Sequence, residues 1–184
     1  MKLKMIPQGG FLNPDSIISS LNIKPGYKVA DFGSGSGFFA LLIAAIVGSD
    51  GSVTAIDVLQ GKLDTLKSAA QARGLFNISY VRGDLEVFGS SKLNDLSQDM
   101  ALLTNILFQS QKKLDILKEA HRVLKVGGEL VIVDWDPTSM FGSKETGWKF
   151  SKEECQQIAS GIGFNFDREI TATNDHWGLV FKKT

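Results

Sequence analysis

The stretch Val29-Ala-Asp-Phe-Gly-Ser-Gly-Ser-Gly37 carries an apolar run onto an acid and then onto three alternating glycines, and the almost wholly apolar run Phe38 to Val47 follows it. That order reads as a strand, a tight turn and a buried helix. Glycine lets a backbone turn sharply and approach a ligand with no Cβ in the way. The start of the following helix presents unpaired N–H groups and the positive end of its dipole. A loop of this kind holds a nucleotide-like cofactor, and Asp31 at its mouth bears on which one.

Working outward, short β-rich runs alternate with helical patterns, the rhythm of an α/β three-layer sandwich with a mostly parallel sheet. Asn13 caps and Pro14 opens a short first helix reaching Leu21. The expected strands are Lys28 to Phe32, Ser52 to Asp57, Ile78 to Arg82, Asp99 to Leu103 and Glu129 to Asp134. Between them lie helices over Phe38 to Val47, Gly61 to Arg73 with Gly74 as its stop, and Lys112 to Leu124. Ser151 and Glu154 have capping-box spacing for a last helix. Phe164 to Ala172 and Gly178 to Lys182 then form an antiparallel C-terminal hairpin, with His176 and Trp177 expected in its turn. The stretches Phe88 to Asp95 and Pro137 to Phe150 are irregular.

The chain has 184 residues, which suits a single domain, since single cores stop growing at roughly 250 residues. Residues 1–25 would form an N-terminal segment and partial lid, in which Phe11 would either fold over the cofactor or pack as an N-terminal staple, and 26–184 the core. Twenty basic and twenty acidic side chains cancel, so the broad positive field of a nucleic-acid binder is missing and such a partner is disfavoured, although a local patch would still serve one. Cys155 is the single cysteine, so the chain forms no internal disulfide and supplies no multi-thiolate metal site; a metal is not expected. The N-terminal Met1 to Pro7 is too short in its apolar part for a signal peptide, and no run approaches the roughly 20 apolar residues of a membrane span. A cytoplasmic location is expected.

Ligands of an open parallel sheet bind beyond the carboxyl ends of its strands. The residues expected there are Asp31, Phe32, Gly33, Ser34, Gly35 and Gly37, then Asp57 with Val58, Gly83 with Asp84 and Leu85, Thr104 with Asn105, and Trp135 with Asp136. Two cofactor readings compete. A dinucleotide fingerprint fits Gly35, Gly37 and Ala40, with Asp57 about 20 residues on. A pyrophosphate is doubly negative, however, and Asp31 would repel it, whereas a ligand with an ammonium and a sulfonium would be drawn to carboxylates. Tyr27 and Tyr80 are each followed four residues later by an acid, so the Tyr–Lys dyad of short-chain dehydrogenases is lacking.

The sequence resembles the class I S-adenosylmethionine-dependent methyltransferases, in particular those of quinone biosynthesis. Lys24-Pro-Gly-Tyr-Lys-Val-Ala-Asp-Phe-Gly-Ser-Gly-Ser-Gly37 is similar to the family's first motif, and Asp57 to the acid closing its second strand. Gly74-Leu-Phe-Asn-Ile-Ser-Tyr-Val-Arg-Gly-Asp84 resembles the adenine-side motif. Leu117-Lys-Glu-Ala-His-Arg-Val-Leu-Lys-Val-Gly-Gly-Glu-Leu130 is similar to the helix and turn before strand five. Val126 stands where that turn commonly has Pro, and Thr104-Asn-Ile-Leu107 lacks the Asn-Pro-Pro-Tyr-like signature of enzymes acting on exocyclic amines of nucleic acids. The resemblance implies a Rossmann-like seven-stranded sheet and S-adenosyl-L-methionine as cofactor. Asp31 and Thr104 would lie at its methionine end, Asp57 at the ribose, and Asp84 at the adenine amine between Val58 and Leu85.

Each assignment has a plainer rival. Asp57 could cap the next helix, Asp84 could serve turn chemistry, and Asn105, Trp135 and Asp136 could close strands rather than face an acceptor. His121 is expected to pack, and Cys155 to be inert. Methyl transfer from a sulfonium needs little acid–base help, mainly a nucleophile held at about 3–3.5 Å, so no catalytic base is assigned. The acceptor is open: a small apolar or quinone-like molecule suits Trp135, Met140, Phe141, Trp148 and Phe150, an open cleft would also take protein or RNA, and arsenite is disfavoured by the single thiol. A non-catalytic cofactor-binding module remains an alternative.

Overall fold

A computed structural model describes residues 12–138 and 150–184. Twelve elements follow in the order α1 (Pro14–Ser20), β1 (Lys28–Phe32), α2 (Phe38–Val47), β2 (Ser52–Asp57), α3 (Gln60–Ala72), β3 (Ile78–Arg82), β4 (Gln98–Thr104), α4 (Lys113–Val123), β5 (Leu124–Trp135), α5 (Lys152–Ser160), β6 (Phe164–Thr173) and β7 (His176–Lys183). The strands make one seven-stranded sheet ordered β3-β2-β1-β4-β5-β7-β6, in which β1 to β5 run parallel and β7 is antiparallel to both neighbours. The strand order turns back between β1 and β4, so the crevice expected for a ligand opens at their carboxyl ends.

Alternation along each strand sorts side chains to two cores. Val29, Leu102, Val131 and Val180 face α1, α2 and α3, together with Ile17, Phe39 and Leu63. Phe32, Leu103, Ile132 and Phe181 face α4 and α5, with Leu117, Cys155 and Phe164. This is the expected three-layer sandwich. Both helix caps read from sequence are present: Asn13 Oδ1 accepts from the Ser16 N–H at 3.3 Å, and Ser151 Oγ from the Glu154 N–H at 3.1 Å. Ile17, Ile18 and Leu21 are buried, so the described part of the N-terminal segment belongs to the core; Phe11 lies outside the described residues. Among the described residues no helix is long and apolar enough to cross a membrane.

Several expectations are corrected. The final turn is only Asn174 and Asp175, and His176 and Trp177 lie inside β7, because the buried Trp177 indole donates to the Phe150 carbonyl and its ring sits in the core. Helix α2 is not covered all round: Phe38 is 73% exposed, since a helix on one face of a sheet can bury only its inner side. The Lys125 to Gly128 turn is absorbed into β5 as a slip in pairing, Gln98 facing Leu124 and Met100 facing Glu129.

A buried acid fixes the irregular stretch after β3. Glu119 lies on the apolar stripe of α4 and is fully buried, yet it accepts from the Gly89 N–H at 2.9 Å, the Ser91 hydroxyl at 2.5 Å and the Arg122 guanidinium at 2.7 Å. Arg122 also donates to the Leu93 carbonyl and to Asp95. Burial alone would raise the Glu119 pKa, but Arg122, Ser91 and Gly89 together hold it down at about 2. Because the folded value lies below the ordinary 4.5, this stabilisation is present above pH 4.5 and is lost as pH falls toward 2. Glu119→Ala should cost roughly 2–3 kcal/mol in urea denaturation at pH 7 by leaving the Ser91 hydroxyl and the Gly89 N–H without their acceptor and Arg122 with Asp95 as its remaining ion-pair partner. Glu119→Gln should flatten the loss of stability between pH 5 and 3.

Candidate functional site

The three glycines take the conformation that the sequence demanded of them. Gly33, Gly35 and Gly37 have φ of 76°, 53° and 87°, in the left-handed region that L side chains avoid. A Cβ on Gly33 would collide with Ile106 Cγ2, and one on Gly37 with Leu66 Cδ1, so the loop is pressed against the segment after β4 on one side and α3 on the other. A Cβ on Gly35 would meet open space, which leaves that part of the loop facing outward.

Asp57 ties the loop to β2. Its Oδ2 accepts from the Gly35 N–H and its Oδ1 from the Leu59 N–H, both at 2.9 Å. It does not cap α3, whose N-cap is Leu59. An ionised carboxylate offers about four acceptor positions, so two remain for hydroxyl groups. Asp31, one strand over, is buried to 1% exposure, and among the described residues neither of its oxygens has a partner at hydrogen-bonding distance and angle. Burial first, and the Asp57 charge second, push its pKa up to about 7 against the pull of the Ala40 N–H.

A cleft of about 500 Å³ opens beside these residues. Its lining includes Gly33, Asp57, Val58, Gly83, Asp84, Leu85, Thr104 and Asn105. Asp84 uses Oδ1 to hold the Glu86 N–H at 3.0 Å, so its turn chemistry is real, while its exposed carboxylate still borders the cleft. Asn105 adopts φ 54°, its N–H bonds the Val133 carbonyl at 2.9 Å, and its buried Oδ1 has no partner. Phe32 places its ring in the core and could meet a ligand only through its backbone. Ser34 is buried, with an unpartnered hydroxyl.

The acceptor-side expectations fare differently. Phe150 is 1% exposed and packs in the core at 5.7 Å from the Trp177 ring, so it is unavailable to an acceptor; its segment is pulled inward by the indole hydrogen bond. Met140, Phe141 and Trp148 lie outside the described residues. Asp136 closes a turn by accepting from the Thr138 N–H at 2.7 Å. Neither Trp135 nor Asp136 lines the cleft.

Sequence reasoning missed two groups. Glu86, Gln109 and Ser110 border the cleft, and the Ser110 hydroxyl donates to Glu86 Oε1 at 2.6 Å, joining the segments after β3 and β4. Asp134, 1% exposed, accepts from the Leu107 and Phe108 N–H groups at 3.0 Å and so shapes the turn carrying Asn105. Burial raises its pKa to about 7 despite these bonds. An acid ending the apolar run from Leu130 was the available signal.

Residues 23–182 match a family described as a methyltransferase domain. The chain belongs to this family, the class I S-adenosylmethionine-dependent methyltransferases. It is 36% identical over 113 residues to an arsenite methyltransferase of Aquipseudomonas alcaligenes, covering 59% of this chain and 33% of that protein. To a demethylmenaquinone methyltransferase of Geobacillus kaustophilus it is 26% identical over 131 residues, covering 71% and 55%. The chain thus spans about a third to a half of these curated relatives. A SAM-dependent methyltransferase from Aquifex aeolicus shares the fold with a TM-score of 0.83 at 22% identity, covering 94% of this chain and 90% of that one. The [4+2]-cyclase SpnF shares it too, with a TM-score of 0.73 at 22% identity over 85% of this chain and 57% of that one, so the fold alone does not fix the chemistry.

Gly37→Ala should lower stability by roughly 2–4 kcal/mol in urea denaturation, since strained backbone and a clash with Leu66 add. Gly35→Ala, strained but with open space at its Cβ, should cost only about 1–2 kcal/mol.

Proposed function

We propose that this protein binds S-adenosyl-L-methionine in the cleft and transfers its methyl group to a small-molecule acceptor. The observation that carries the reading is the Asp31 carboxylate, buried without a hydrogen-bond partner at the mouth of a left-handed glycine loop. Such a group suits a ligand bringing positive charge and N–H donors, and it opposes a pyrophosphate. When bound, the cofactor supplies a sulfonium methyl already activated for displacement.

In this reading Asp31 faces the ammonium directly or through water, and the Thr104 backbone carbonyl assists it. Gly33, Ser34, Gly35 and Gly37 let the backbone approach. Asp57 takes the ribose hydroxyls on the acceptor positions that Gly35 and Leu59 leave free. Asp84 receives the adenine amine while Val58 and Leu85 form the walls of the ring slot. Leu85 is buried and Val58 half-exposed, so the slot is closed more tightly on the β3 side.

An acceptor of low molecular weight is supported by the neutral balance of charge, which provides no broad positive field to draw a nucleic acid. Two kinds of relative, acting on arsenite and on demethylmenaquinone, bracket the choice. A quinone-like acceptor fits better than arsenite: Cys155 is the single thiol, and it is buried, with its pKa raised by desolvation, whereas trivalent arsenic is held by several accessible thiolates. The unpaired thiol also suits the reducing cytoplasm as the site of action.

Isothermal titration should give S-adenosylmethionine binding that weakens at least tenfold in Asp57→Ala; absent binding, or binding untouched by that change, would overturn the proposal. Affinity should rise as pH increases from 5.5 through 7 and level off near pH 8, because the bound ammonium favours ionised Asp31 and a proton must leave at lower pH. Asp31→Asn should bind more weakly at pH 8 and show a flat profile. Labelled methyl offered with fractionated extract should appear in the low-molecular-weight fraction, and appearance only in protein or RNA would redirect the acceptor class.

A further inference from the structure

Among the described residues, four groups at the carboxyl end of the sheet hold buried polar atoms with no hydrogen-bond partner: Asp31, Ser34, Asn105 and His176. The first three belong to the glycine loop and the cleft. His176 does not, and its place in the fold gives it a task. Counting side-chain alternation from the core residues Val29, Leu102, Val133 and Val180, the residues Asp31, Thr104, Trp135 and His176 all lie on the α1–α2 face of β1, β4, β5 and β7, which are consecutive in the sheet. Trp135 pairs with His176 in register, and their rings stack with centroids 3.9 Å apart. His176 is 5% exposed; its Nδ1 meets Thr173 Oγ1 at 2.9 Å, and Nε2 is the orphan.

We infer that His176, stacked on Trp135, is a positioning residue that receives a hydroxyl group on the far end of a flat aromatic acceptor. This rests on the methyl-transfer reading above, which puts the donor's methionine end at Asp31 and Thr104. Strands lie about 4.8 Å apart, so β7 is roughly 10 Å from β4. That distance is too long for a general base at the transferred methyl and matches the length of a bicyclic ring system. A neutral imidazole whose Nδ1 is engaged leaves Nε2 either an acceptor or a donor, according to the tautomer. A hydroxyl satisfies both forms, whereas an ether or a carbonyl satisfies one. Burial keeps the ring neutral at pH 7, its pKa pushed down to about 4 despite the nearby Asp175. The Trp135 ring adds a flat apolar surface of the kind aromatic ligands stack upon.

The test uses 2-naphthol and its isostere 2-methylnaphthalene, titrated into the protein saturated with S-adenosylhomocysteine, whose own affinity is measured first. Wild type should bind 2-naphthol about tenfold more tightly than 2-methylnaphthalene, and the His176 Nε2 signal in long-range ¹H–¹⁵N spectra should shift with 2-naphthol alone. His176→Phe, which keeps the stack, should bring the ratio near one with the nucleoside affinity unchanged, and His176→Gln should restore part of it. A tenfold ratio surviving in His176→Phe, no ratio in wild type, or binding of neither probe would overturn the inference. Loss of nucleoside binding in wild type would instead overturn the reading on which it rests.

Discussion

The left-handed backbone at Gly33, Gly35 and Gly37 is the constraint from which the rest of the site follows. It lets β1 end and α2 begin within five residues, which brings the start of α2 to the switch point of the sheet. The turn is not free-standing. Ile106 packs where a side chain on Gly33 would go, Leu66 where one on Gly37 would go, and Asp57 grips the Gly35 amide. Two neighbouring elements therefore depend on the absence of a Cβ, and a third holds the loop through a backbone amide. Gly33 and Asp57 are the parts of this arrangement that border the cleft.

Three buried acids show how the protein uses the same functional group in different ways. Glu119 is surrounded by Arg122, Ser91 and an amide, stays ionised and pins the stretch after β3. Asp134 accepts three amide N–H groups with no cation in contact, and burial still holds its pKa near 7. Asp31 has the same raised value, no hydrogen-bonded partner among the described residues, and only the Ala40 N–H pulling the other way. Glu119 and Asp134 shape the two segments that flank the cleft. Asp31 alone is left uncompensated, and it stands where the fold places a ligand. An unpaired carboxylate costs stability, so its persistence at this position fits a partner supplied from outside.

Much of this was legible in the chain. The alternation of β-rich and helical runs gave the strand count and the parallel sheet, because side-chain periodicity is a local property. Asp31, Asp57, Asp84 and Thr104 were found as strand-end residues for the same reason. Glu119 was overlooked because an acid on a helix is ordinarily solvated; its position on the stripe of Ile116, Ala120 and Val123 was the sign that it is buried. His176 was placed in a turn because Asn174 and Asp175 are strong turn formers and the turn's exact length is set by pairing with β5, not by composition.

The sequence by itself determined the fold class, the glycine turn, the caps of α1 and α5 and the acids at the strand ends, since each depends on residues within a few positions of one another. Only the tertiary structure decided that Phe150 is core rather than acceptor wall, that Glu86 and Ser110 join across the cleft, that Asp134 holds the Asn105 turn, and that Trp135 meets His176. Those outcomes join residues 24 to 41 positions apart or face strands of opposite direction. Such contacts are fixed by sheet order and register, which no local pattern encodes.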